Sequence, residues 1–463
     1  MAEESPTPAT GTPAPPRWAR ELLGVLVAVA IGIAVVAAVT ASARADLLFH
    51  DADSLVTTLI VRSIAIGQPQ DWALSSVLFL PETAVLGLLT LFGLGVEGTL
   101  ALAGVVNVVA LYGALRVAAG TLARGRAPIA GALLALGAFG LLAASEASPS
   151  RDALELASLL TTTTYYSATV IGVVLTVGIA RRGLDRARGA VPWGAVAGVG
   201  LVAAASVLTN PLFAVWATVP LGLVLGVVAI RRRGARWLVG GLAAGTAIGF
   251  AGRIPLAPFI ANTGAGYFDP SLWRSSLEYY GALLADRWSA PWGAASVVLL
   301  LVLWGGCIAA TVLLARRSEI GATVVAACGW AMPLLVVGGA VVAGTHAARY
   351  LQPAVFAPVL GLASRCCRRC CRARSRRCGP CWRSLRRWRR WWGWWRRSGS
   401  VCPGSRPPRT RPMPTWPASW TGWSSRAASA PASSGQCGCR RRTSPTRESS
   451  CRSTTGSGAT RGS

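Results

Sequence analysis

Residues 22–43 read LLGVLVAVAIGIAVVAAVTASA, 22 residues without a charge, and this stretch decides the fold class. At about 1.5 Å of rise per residue, such a run crosses a hydrocarbon core of about 30 Å as one helix. It is too long for the apolar core of a signal peptide, and no small-residue cleavage site separates it from the next loop, so it reads as a retained first span. Arg17 and Arg20 precede it. Further apolar runs follow at 99–120, 127–145, 160–180, 191–209, 211–230, 237–252, 293–315 and 320–343, and another opens at 351–364. The expectation is an all-α, polytopic transmembrane helical bundle of about nine or ten spans, with no water-soluble domain of useful size.

Arginine placement orients the bundle, because short cytoplasmic loops carry the excess of basic residues. The clusters are Arg17/Arg20, Arg124/Arg126, Arg181/Arg182/Arg186/Arg188, Arg231/Arg232/Arg233/Arg236 and Arg316/Arg317. All five fall on one side only if the weaker apolar stretch 83–95 does not cross. Pro81-Glu82 and Gly93/Gly95 bracket it, so it reads as a juxtamembrane helix, interfacial or re-entrant, in the first outer loop. The N-terminus is then cytoplasmic, and the expected location is a bacterial cytoplasmic membrane, crossed many times. Segments 45–97, 145–159, 253–292 and 344–350 fall on the outer face, where cytosolic nucleotide donors are out of reach.

The chain changes character near Ser364. Residues 1–364 hold 22 Arg and 17 acids, whereas residues 365–463 hold 24 Arg, one acid (Glu448), ten of the twelve Cys and nine of the nineteen Trp. Nearly all of the formal +28 charge therefore lies in the second part. Lys is absent throughout, as expected of a GC-rich coding sequence. Slipped by one base, Trp-Trp pairs such as Trp391-Trp392 contain the Val codon GTG, and Cys-Cys pairs such as Cys366-Cys367 contain the Leu codon CTG. Residues 365–397 would then decode as an apolar continuation of the bundle. The tail 365–463 thus reads as the out-of-frame, disordered product of a high-GC bacterial gene.

The competing reading of the tail is a genuine basic appendage. In it, Cys378-Gly379-Pro380-Cys381 would spell a redox dithiol lacking its strand-turn-helix setting, and residues 382–397 would suit nucleic acid or anionic lipid. One base slip accounts for these features together, so no nucleic-acid partner is expected. The Pro/Thr/Glu-rich head 1–16 reads as disordered, which leaves 17–364 as the membrane domain. Cys307 and Cys328 lie within apolar runs, where no structural disulfide is expected.

Three outer segments could carry chemistry. His50-Asp51-Ala52-Asp53-Ser54 sets two carboxylates two residues apart. They could hold a divalent cation, or one could serve as a general base; equally, Asp and Ser are ordinary N-cap residues for a helix beginning near Leu55. Thr345-His346-Ala347-Ala348-Arg349-Tyr350 places an Arg able to clamp a phosphate oxygen, or an interfacial Arg-Tyr anchor. His50 and His346 are the only histidines, and the topology puts both on the outer face, which favours a shared site. Ser148-Pro149-Ser150-Arg151-Asp152 turns between two spans and reads as a substrate contact or as an Arg-Asp helix cap. Asn210-Pro211 interrupts an apolar stretch, as a cavity lining or a plain turn. Tyr267, Trp273, Tyr279, Tyr280, Trp288 and Trp292 read as an interfacial belt from which one or two could stack on a sugar.

In this order the pieces resemble the C-type (GT-C) membrane glycosyltransferases, the group that includes protein O-mannosyltransferases and aminoarabinose transferases. The shared order is a first span, the acidic Asp51/Asp53, a Pro81-led juxtamembrane helix ending in Leu91-Phe92-Gly93, and a span ending in Arg124/Arg126. An outer turn from Ser148-Pro149 to Arg151-Asp152-Ala153 follows, and later Arg349-Tyr350-Leu351-Gln352-Pro353. The likeness covers residues 20–360, and the succession of motifs carries it. It implies inverting transfer of a sugar from a polyprenyl-phosphate donor in the lipid bilayer to an acceptor on the extracytoplasmic face. Asp51 or Asp53 would activate the acceptor hydroxyl or hold a metal, and Arg349 would neutralise the leaving phosphate. His50, His346, Arg151, Asp152 and Tyr350 are the further substrate-binding candidates, and a divalent cation is the one candidate cofactor.

Three departures stand against the family pattern. The acidic motif is Asp-Ala-Asp rather than an adjacent pair, no soluble acceptor-binding domain follows, and the altered C-terminus displaces the later spans, which puts activity in question. The competing class is a transporter or flippase of lipid-linked or small solutes. It calls for internal repeats and polar residues near the bilayer midplane, whereas no clear repeat is present and Asn107 and Asn210 stand alone or toward span ends.

Overall fold

Long runs of Leu, Val and Ala form helices because each backbone polar group is satisfied within its own segment. The computed structural model describes residues 16–120, 127–186 and 190–364. The head, Arg124, Arg126, Arg188 and the Arg/Cys/Trp-rich tail with its expected change of frame lie outside the described residues. The helices are α1 (Arg17–Thr40), α2 (Ala45–Phe49), α3 (Ala52–Ala65), α4 (Leu80–Leu89), α5 (Gly95–Ala118), α6 (Ala127–Ala144) and α7 (Ser167–Arg186), followed by α8 (Trp193–Thr209), α9 (Val219–Ala229), α10 (Arg233–Gly252), α11 (Trp273–Ser289), α12 (Pro291–Arg316), α13 (Ile320–Val342) and α14 (Pro353–Ser364). Among the described residues there is no strand, only an isolated bridge between Leu74 and Ile260.

Five helices, α1, α5, α7, α12 and α13, are long and apolar enough to cross a bilayer. The other apolar runs appear as shorter helices: α6, α8, and α9 extended backward by a π-helical turn at Ala214–Thr218. α10 follows the run expected at 237–252, and α14 follows the one opening at 351. α4 has ten residues. At 1.5 Å per residue it reaches about 15 Å, half a hydrocarbon core, in keeping with a juxtamembrane helix.

One boundary is corrected. The run expected as a span at 160–180 becomes helical only at Ser167. Before it lies a 3₁₀ turn, Ser158–Thr161, and then irregular backbone in which Tyr166 takes a left-handed φ of 67°. The cause is four consecutive threonines: branching at Cβ disfavours the helix, and their hydroxyls bond nearby carbonyls instead. Thr161 Oγ1 donates to Ser158 O at 2.6 Å and Thr162 Oγ1 to Leu159 O at 2.7 Å.

α7 lies at the centre, against α5, α8 and α13, with α1 outside α5 and α10 outside α8. Two thirds (67%) of the apolar windows of α7 and α13 are buried against 17% for α12, so α12 turns Leu301, Val302 and Val312 outward. α10 approaches α8 closely because a Cβ on Gly245 would run into the Gly200 backbone. Such small-residue contacts let helices pack where neighbouring lipid offers no hydrophobic gain.

The loops sort onto two ends. At one end Arg44 meets Glu155, Arg253 Nη2 donates to Ser76 O at 2.5 Å, and Asp269 N donates to Ala343 O at 3.0 Å. At the other, Arg116 pairs with Glu21, and Gly321 lies against Arg181 O and Asp185. The four segments expected on one face thus share an end, and Arg181, Arg182 and Arg186 share the opposite one with the start of α1.

Candidate functional site

The start of α3 positions the carboxylates. Asp51 occupies the N-cap position (φ −67°, ψ 133°), yet its side chain makes no capping hydrogen bond. Its Oδ2 instead accepts from the Tyr165 hydroxyl at 2.8 Å, so Asp51 holds the cap position without capping through its side chain. Asp53 sits in the first turn, where its Oδ2 accepts from Arg151 Nη1 at 2.7 Å. Arg151 and Asp53 are 42% and 51% exposed, so their ion pair contributes at most about 1 kcal/mol and acts mainly to place the two groups. The Thr57 and Thr163 hydroxyls, 2.9 Å apart, tie α3 to the irregular segment before α7.

That segment carries two tyrosines the motif reading passed over. Burial, and then the Asp51 carboxylate accepting its hydrogen, push the Tyr165 phenol well above its ordinary pKa, so it remains a donor. Gln352 Nε2 donates to Tyr165 O at 3.0 Å, and Trp216 Nε1 donates to Tyr350 O at 3.0 Å. The Tyr166 ring meets Trp216 edge-on at 5.8 Å and lies 6.4 Å from the Tyr350 ring. These contacts dock the 3₁₀ turn Ala348–Leu351 against the centre of the bundle. The Arg349 guanidinium lies 5.8 Å over the Tyr350 ring, with Tyr166, Asp152 and Tyr165 as electrostatic neighbours. Its Nε is buried without a hydrogen-bond partner.

The structure therefore gathers Asp51, Asp53, Arg151, Asp152, Arg349 and Tyr350, and adds Tyr165 and Tyr166. Among the described residues no contact joins the histidines. His50 caps the end of α2 and turns its Nδ1 to Asp46 at 3.4 Å, while His346 Nε2 lies 3.0 Å from Ser275 Oγ with its ring on Tyr279. Among the described residues no group of three or more His, Cys, Asp or Glu could hold a metal. With Arg151 already seated on Asp53, the Asp51/Asp53 pair as arranged does not form a cage for a divalent cation.

A second charge cluster supports the first. Arg44 lies 3.5 Å from both Glu146 and Glu155, and Arg287 also pairs with Glu155. Glu155 Oε2 accepts from the backbone N–H of Ala147 at 2.7 Å and Ser148 at 2.6 Å, while Glu146 accepts from Ala157 and Ser158. The turn bearing Arg151 and Asp152 is thus clamped at both ends. A local signal for this network was present only as isolated charges in an apolar chain.

Glu82, near the start of α4, is 6% exposed. Its Oε1 accepts from Ala168 N at 3.2 Å, at the N-terminus of α7, and its Oε2 has no partner. Burial raises its pKa from 4.5 to about 7 against the lowering effect of backbone N–H donors.

Beside Tyr350 opens a cavity of about 350 Å³ lined also by Tyr166, Leu212, Trp216, Tyr267 and Val336. Pro211 borders it, so the Asn210-Pro211 break both turns the chain after α8 and lies against the cavity. Asn210 itself is spent, its Nδ2 donating to Thr169 Oγ1 at 2.9 Å. No protein-family model, curated protein or solved structure matches the chain.

Proposed function

We propose that the chain is a membrane glycosyltransferase of C-type architecture, moving a sugar from a polyprenyl-phosphate donor to an acceptor hydroxyl on the extracytoplasmic face. The observation carrying this reading is the convergence of Asp51 and Asp53 with Tyr165, Arg151 and Arg349, next to a largely apolar cavity lined by Tyr166 and Tyr350, the chain neighbours of Tyr165 and Arg349. A phosphate on Arg349 would leave its prenyl chain free to follow Tyr166, Trp216 and Val336.

Asp51 is the base in this scheme. Asp53 is paired with Arg151, whereas Asp51 accepts only from the Tyr165 phenol and has no basic side chain in ion-pair contact. The acceptor oxygen attacks the anomeric carbon as its proton passes to the free oxygen of Asp51. The bond from that carbon to the phosphate oxygen breaks, and polyprenyl phosphate leaves with the electron pair, stabilised by Arg349.

A transport path is less well supported. The amides within the apolar runs are consumed locally, Asn107 Nδ2 donating to Leu160 O at 3.1 Å and Asn210 to Thr169, and the ion pairs lie at the two ends of the bundle. Binding of a labelled polyprenyl-phosphate sugar to the full chain in detergent tests the assignment. Arg349→Ala is expected to weaken it by about 1.5–3 kcal/mol, roughly 10- to 150-fold in Kd. Unchanged donor affinity would remove Arg349 from the site.

A further inference from the structure

At the opposite end of the bundle, a cavity of about 460 Å³ opens where the last turns of α5 and α7 meet the start of α8. Arg182 and Arg186 line it, together with Trp193 and the apolar side chains of Leu175 and Ile179. Arg182 is fixed as a helix cap: its Nε donates to Val117 O at 3.0 Å and its Nη2 to Arg116 O at 3.3 Å, both carbonyls in the last turn of α5. Its Nη1 has no hydrogen-bond partner among the described residues. Arg186, one turn on, is exposed and without an acidic partner among the described residues.

Two acids at this end are turned to other groups. Glu21 grips Arg116 through both oxygens, at 2.7 and 3.2 Å. Asp185 faces α13, where a Cβ on Gly321 would strike its Oδ1. The Trp193 indole packs against Trp237 with ring centres 5.0 Å apart, and paired indoles of this kind mark the polar-apolar boundary of a bilayer. The cavity therefore has a cationic rim at the indole level and an apolar wall toward the middle of the bundle. Its volume is many times the roughly 30 Å³ share of a water molecule, more than a bare anion fills.

We propose that this cavity binds one anionic phospholipid, its phosphodiester on Arg182 and Arg186 and the head of an acyl chain along Leu175 and Ile179. A basic pocket between helices at the level of the headgroups selects for negative lipid charge. The site shares no residue with the proposed transfer reaction.

Native mass spectrometry of the full chain in neutral detergent tests this, with phosphatidylglycerol and phosphatidylcholine of identical acyl chains as probes. Phosphatidylglycerol is expected to persist as a one-to-one adduct under activation that strips phosphatidylcholine. Arg186→Gln should weaken the adduct about tenfold, and Gly194→Leu should displace it. A Cβ at Gly194 meets nothing within 4 Å, so the second variant fills the space without a clash at its branch point. Equal retention of both lipids, or an adduct indifferent to both substitutions, would overturn the proposal. So would thermal protection by inorganic phosphate alone that matches the phosphatidylglycerol effect, since that would mark a site for the free anion.

Discussion

Two charge clusters sit at the same end of the bundle and differ in one respect. In the first, Arg44, Glu146, Glu155 and Arg287 have side chains no more than 10% exposed, two positive and two negative, with the carboxylate oxygens also taking backbone N–H groups. In the second, Asp53 and Arg151 are about half exposed, Asp51 meets only a phenol, and Arg349 keeps an unpartnered Nε. Buried charges persist only when they cancel and their remaining lone pairs are satisfied. The first cluster is balanced in charge, with Arg44 Nε held at 3.5 Å from Glu155 though without a hydrogen bond, and it fixes a turn. The second leaves Asp51 without an ion-pair partner, next to the cavity that Tyr166 and Tyr350 line, an arrangement suited to a ligand.

The contrast breaks most sharply at Glu155. Glu155→Gln strips the buried network of a charge and is expected to cost about 3–5 kcal/mol of stability, read from melting of the detergent-solubilised protein. A loss as small as that of an exposed pair would erase the distinction between the clusters.

Glu82 sharpens the comparison with a buried carboxyl that lacks a counter-charge. Its pKa is raised from 4.5 unfolded to about 7 folded, so between those values the folded state holds more protons. Its stabilising effect is complete below about pH 4.5 and is lost as the pH rises through about 7, a change of about 3 kcal/mol. Melting followed from about pH 5 to about pH 8 should show this decline, and Glu82→Gln should flatten it. An undiminished decline in the variant would assign the effect to another group. The smallest change belongs to Asp53→Asn in the open cluster, expected to alter stability by no more than about 1 kcal/mol. A loss comparable to that of Glu155→Gln would make the open cluster structural too.

The helices and the sorting of loops onto two ends were legible because each rests on a local signal, an apolar run or an arginine cluster. Asp51, Asp53, Arg151 and Arg349 could be picked out because charges are scarce in this part of the chain. Tyr165 and Tyr166 could not, since Thr161–Thr164 continue into the apolar run of α7 and only their branching and hydroxyls hint at the break. The Arg44–Glu155–Arg287 network was hidden for another reason: its members lie 111 and 132 residues apart, beyond any spacing rule. The pairing of Asp53 with Arg151, a contact across 98 residues, was hidden for the same reason, and it gives Asp53 the positive neighbour that the sequence offered only as a possible divalent cation.

The central claim is that the open cluster performs transfer, and Asp51 tests it most directly. Release of polyprenyl phosphate from a labelled polyprenyl-phosphate hexose can be followed for the full chain in proteoliposomes, with isolated cell-envelope material as acceptor. Asp51→Asn is expected to lower the rate by about 10²- to 10⁴-fold while melting stays where it is in the unaltered protein. An unaltered rate in that variant would contradict the account.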